Sequence, residues 1–68
     1  MRFTDTHKSI IERGATGHCV RWVWHWVLDG QPVTRQVNFL IKRGLIEATY
    51  FRSSASTSAT ESGREAIA

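Results

Sequence analysis

The chain has 68 residues, enough for one domain with a small core, because so short a chain buries only about 60% of its unfolded surface. Its 41% hydrophobic content and mean hydropathy of -0.28 suit an ordinary globule, and a lone cysteine, Cys19, excludes a disulfide-stapled scaffold. The formal charge of +3 is unevenly spread: Arg2, Lys8, Arg13, Arg21, Arg35, Lys42 and Arg43 face only Asp5, Glu12 and Asp29 over residues 1–46. Arg52 and Arg64 are outnumbered by Glu47, Glu61 and Glu65 in the remainder. A basic front of this kind can attract phosphates or simply keep the chain soluble. The composition fits a reducing cytoplasm. The apolar stretch around residues 22–28 is too short to span a bilayer, and the N-terminus lacks the apolar core of a signal peptide.

Thr4 or Asp5 can cap a first helix near residues 5–13, with Ile10 and Ile11 on its core face and Gly14 as its stop. In the next segment Val20, Trp22, Trp24, Trp26 and Leu28 sit at strict period two, which predicts a strand. A helix over the same residues stays open as an alternative. Asp29-Gly30 signals a hairpin, which would set Trp26 opposite Val33 and Trp24 opposite Arg35. The rival reading beyond Gly30 is a helix over 33–43. Val33, Val37, Leu40 and Ile41 fall on one helical face, Lys42 and Arg43 suit its C-terminal end, and Gly44 can cap it. Pro32 then lies in its first turn, and the helix is the preferred reading. Leu45 to Phe51 reads as a short strand, residues 52–58 as a flexible polar connection, and Thr60 as the cap of a last helix running to Ile67.

Arg43-Gly44-Leu45-Ile46-Glu47 after an amphipathic helix, then Thr60-Glu61-Ser62-Gly63-Arg64-Glu65-Ala66, resembles the back half of winged-helix DNA-binding domains. The resemblance covers about residues 31–68. It implies a single α+β winged-helix-like domain over residues 1–68: an N-terminal helix, a Trp-rich strand or helix, a second helix, a short β-wing formed around 52–58 and a short C-terminal helix. That family has a further helix at the positions of residues 18–26, where the period-two pattern stands here. The resemblance also implies a non-enzymatic regulator of transcription that reads duplex DNA with the 33–43 helix. Its reading surface would comprise Thr34, Arg35, Asn38 and Lys42, with Gln31 at the helix entrance and Arg52 in the wing on backbone phosphate. The size is also similar to that of the short proteins of phages and mobile elements.

The alternative is a protein-interaction module, an adaptor or inhibitor of a host complex, that keeps this fold without reading DNA. At least two of Trp22, Trp24 and Trp26 are expected in the core. An exposed one, for which Trp24 is the candidate, would anchor a protein partner or a second copy. The tryptophans could otherwise stack on unpaired bases. His7, His18, Cys19 and His25 make no recognised zinc spacing, and no cofactor fingerprint is present. Catalysis by Cys19 would need an enclosed pocket that so small a chain can hardly build, so no small-molecule substrate is expected. With no apolar stretch long enough for a bilayer, no membrane partner is expected either.

Overall fold

The computed structural model describes residues 3–68, so Arg2 of the basic front lies outside the described residues. Three helices and five strands follow in the order α1 (Asp5–Arg13), β1 (Thr16–Val20), β2 (Val23–Leu28), β3 (Gln31–Pro32), α2 (Thr34–Lys42), β4 (Ile46–Phe51), β5 (Ser54–Ala59) and α3 (Glu61–Ala66). The strands form one antiparallel sheet in the order β3-β2-β1-β5-β4. The molecule is therefore a small α+β domain. No helix among the described residues is long and apolar enough to cross a membrane.

Thr4 caps α1: its hydroxyl accepts the His7 N–H, while the His7 ring returns a bond to the Thr4 N–H. The helix ends at Gly14, whose φ of 79° a side chain would strain. Two tight hairpins come next. Val20 pairs with Val23 across Arg21-Trp22, and Leu28 pairs with Gln31 across Asp29-Gly30. All four turn residues have positive φ, the signature of a type I′ turn.

The hairpin at Asp29-Gly30 is realised only as far as the two-residue strand β3, and the helix follows it: Arg35 lies in α2 and Trp24 pairs with Cys19, not with Arg35. The Val33 N–H still donates to the Trp26 carbonyl, 2.8 Å away, before the chain turns into α2. Pro32 lies on the edge strand β3 rather than in the first turn of α2, a place where a missing N–H is tolerated. The unbroken strand expected over Val20–Leu28 is split at Arg21-Trp22. The turn reverses the alternation, so Trp24, Trp26 and Leu28 share the inner face while Val20 faces out and Trp22 leaves the sheet. The flexible connection expected over 52–58 is instead a turn at Arg52-Ser53 followed by β5. Its small residues serve to pair, not to wander: Ala55 and Thr57 alternate inward between exposed serines.

Ile10 and Ile11 of α1 and Val37 and Leu40 of α2 meet Trp26, Ile46 and Ala55 on the inner face to make the core. Across this face Tyr50, Ala55, Gly17 and Trp26 lie in one row. A Cβ on Gly17 would come within 2.7 Å of the Trp26 ring, so only glycine lets the indole lie flat on β1. Trp24 is half-buried beside it, its ring 5.0 Å from Tyr50 and 6.1 Å from Trp26.

Thr57 is buried, and its hydroxyl accepts the Ala15 N–H at 2.8 Å while its own N–H donates to the Ala15 carbonyl. Thr57→Val keeps the shape but orphans a buried donor. A loss of about 1–3 kcal/mol is expected by urea denaturation, with Thr57→Ser closer to the parent.

Candidate nucleic-acid interface

α2 crosses beneath the sheet from the β3 edge to the β4 edge, packing on β2 and β4 as it goes. Its apolar stripe is turned to the core, which leaves Arg35, Asn38 and Lys42 on the opposite, exposed side at helical spacings of three and four. No Asp or Glu occurs from Gly30 to Ile46. Arg43, just past the helix, lies over the Phe39 ring at 4.9 Å and adds another cation at the same end.

Thr34 belongs to the fold more than to this face. It is half-buried, and its hydroxyl accepts the Trp26 N–H at 3.0 Å, tying the start of α2 to β2. Gln31 is exposed on β3, and a shallow concavity lined by Pro32, Thr34, Arg35, Gln36 and Asn38 lies beside it. Arg13 is committed elsewhere. Its guanidinium bonds both carboxylate oxygens of Asp29, holding that carboxyl below the usual carboxylate range and tying α1 to the β2–β3 turn. Both side chains are exposed, so the pair removes a cation from phosphate binding more than it stabilises the domain.

Arg52 occupies the β4–β5 turn with φ 57° and lies over the Phe51 ring at 5.5 Å. The six residues of β4 separate it from the end of α2, about 20 Å at strand rise. The structure therefore gathers Arg35, Asn38 and Lys42 on one helix face, with Gln31 near its start, and sets Arg52 apart at the sheet's far end.

Trp24, the tryptophan singled out for a partner, is packed within the aromatic cluster of the inner face. Trp22 is the exposed one, at 95%. Sequence reasoning missed it because it sits in phase with its neighbours at period two. Also unanticipated are His18 and His25, which pair across β1 and β2 with stacked rings 5.8 Å apart, and the exposed ring of Phe51. Among the described residues no three His, Cys, Asp or Glu side chains come together. Comparison with family models, with curated proteins and with solved structures returned no match.

Proposed function

We propose that this chain is a small, non-enzymatic duplex-DNA-binding domain of winged-helix type, acting as a transcriptional regulator in a reducing cytoplasm. The observation that carries the reading is the exposed stripe of Arg35, Asn38 and Lys42 on a helix without a carboxylate, leading directly into a hairpin tipped by Arg52. Arginine matches guanine edges and asparagine matches adenine edges in the major groove, while Lys42 serves phosphate. The ~20 Å from α2 to Arg52 is close to half a helical turn of B-DNA, about 17 Å. With α2 in the major groove, Arg52 reaches the backbone beside the next minor groove. Gln31 borders the helix entrance and Thr34 contributes by fixing where α2 begins.

The test is fluorescence anisotropy with labelled random-sequence duplex at low and moderate salt. Binding should weaken steeply with salt. Arg35→Ala with Asn38→Ala should cost about 1–3 kcal/mol per lost base contact on the preferred site. Lys42→Ala should lower the log-log salt slope by about 0.9 and weaken all sequences alike. Unchanged affinity in the Arg35/Asn38 variant overturns the reading face.

A second reading, an adaptor or inhibitor that docks on protein, draws on the apolar side chains at the far end of the sheet. Absence of duplex binding even at low salt would favour it.

A further inference from the structure

The two hairpin tips project from the same end of the sheet, since β1 and β5 are neighbours and the Cys19 N–H donates to the Ser53 carbonyl. Val20, Trp22, Val23, Tyr50 and Phe51, the exposed large hydrophobic residues among those described, all lie at this end. The tips also carry Arg21 and Arg52, and no Asp or Glu occurs in residues 15–28 or 48–60.

The outer face of the sheet continues the pattern. No helix among the described residues covers it: Thr16, His18, Val20, Val23, His25, Thr49, Phe51, Ser54, Ser56 and Ser58 are exposed, while Gly17, Cys19, Trp24, Trp26, Ala48, Ala55 and Thr57 turn inward. One register row across four strands reads Phe51, Ser54, His18, His25. It sets three aromatic rings across about 14 Å of sheet, with the His18 and His25 ring centroids 5.8 Å apart. Glu47 is the single carboxylate on this face, at the end away from the tips.

Folding does not require Trp22 where it is. A bulky side chain at φ 70° is strained, and at 95% exposure it repays nothing through burial. A second copy packed face to face would need an apolar face, whereas this one is built mainly of hydroxyls and imidazoles. Rings that stack, hydroxyls that meet phosphate and two cations at the rim instead complement an unpaired polynucleotide.

We propose that the open sheet face and the paired hairpin tips bind single-stranded DNA. Phe51, His18 and His25 would stack on successive bases, Trp22 would stack on the base that overhangs the sheet end, and Arg21 and Arg52 would hold the flanking phosphates. The site is separate from the exposed side of α2 and shares only Arg52 with the duplex-DNA reading above, on which the choice of DNA over RNA rests.

The experiment uses the full chain and fluorescein-labelled dT12, read by anisotropy, with a duplex of equal length in parallel. With unlabelled dT12, tryptophan emission should be quenched. Arg21→Asn/Trp22→Gly places at the turn the residues that favour positive φ, so its Tm should equal or exceed the parent's. Its dT12 affinity should nevertheless fall about five- to a hundredfold, and Phe51→Thr should lose a similar factor. Duplex affinity should hold in the Arg21→Asn/Trp22→Gly variant, and Arg35→Ala/Asn38→Ala should leave dT12 binding intact.

No dT12 binding at low salt overturns the proposal. So does unchanged affinity in both tip variants, or a loss in the Arg35/Asn38 variant that matches its duplex loss, which would mean one shared surface. Tighter binding of rU12 than dT12 overturns the assignment to DNA. A dimer by sedimentation, or binding to anionic vesicles, abolished by the tip variants in a chain that ignores dT12 assigns the face to a second copy or to lipid instead.

Discussion

Gly63→Ala should leave much of the chain unfolded at 25 °C, with a destabilisation of about 3 kcal/mol or more by circular dichroism and urea titration. The reason lies in a clasp between two stretches of chain. The Thr60 hydroxyl donates to the Gly44 carbonyl at 2.7 Å, and its N–H donates to the Leu45 carbonyl at 3.1 Å. The same hydroxyl caps α3 by accepting the Gly63 N–H. This draws the first turn of α3 onto Leu45 so closely that a Cβ on Gly63 would overlap the Leu45 carbonyl oxygen. The clash is with backbone, which cannot swing aside as a side chain would. Relief requires α3 to lift, and Ile67 loses its packing against the core with it. A domain of this length has total stability of only about 3–10 kcal/mol, so the substitution consumes a large share of it. A Gly63→Ala protein with the parent's urea midpoint would show that the clasp is loose enough to admit a methyl group.

Trp26→Ala carries the second large effect, about 3–5 kcal/mol. Trp26 is 2% exposed and is the largest side chain of the core. It lies on Gly17, meets Tyr50 at 6.4 Å between ring centroids and fills the space between the sheet and α2. Neighbouring residues cannot close the void, because β1 offers only Gly17 beneath the ring. The coupling can be measured. Gly17→Ala alone should destabilise by about 1–3 kcal/mol through overlap with the indole, yet cost much less in the Trp26→Ala background, where the methyl enters empty space. Strictly additive losses would mean that the two residues do not share a site.

The sequence shows the ends of the elements better than their middles. Thr4, Gly14, Gly44 and Thr60 mark helix limits through backbone chemistry that acts within a few residues, and local pattern finds them. The apolar spacing of Val33, Val37 and Leu40 identifies the core side of α2, and with it the exposed Arg35, Asn38 and Lys42. The Arg21-Trp22 turn was not legible, since neither residue favours positive φ and nothing local marks the reversal; pairing of β1 with β2 imposes it. The strand β5 was hidden for a related reason. Ser54–Ala59 has the composition of a linker, and its order comes from β1 on one side and β4 on the other. For the same cause the row of Phe51, His18 and His25 could not be read in advance: two of the three residues are brought together with the third from over 25 positions away, and only the sheet register does so. The period-two tryptophans pointed correctly to a strand but drew attention to Trp24 rather than to Trp22.

The place of β5 between β1 and β4 also sets an order of events. Thr16 pairs with Ser56, and the Ala15 amide waits for the Thr57 hydroxyl, so the centre of the sheet closes a loop of some 40 residues. The front hairpin and α1 have no separate core to hold them before that closure. During synthesis, at about 5–20 residues per second, everything before Ser54 must remain incompletely folded, its apolar indoles exposed, until the serine-rich strand emerges. Folding should then be slow for so short a chain, limited by a late joining of distant segments rather than by any one helix. A nascent chain halted before residue 54 should accordingly be open to protease along its whole length, and one released after α3 should become resistant in a single step.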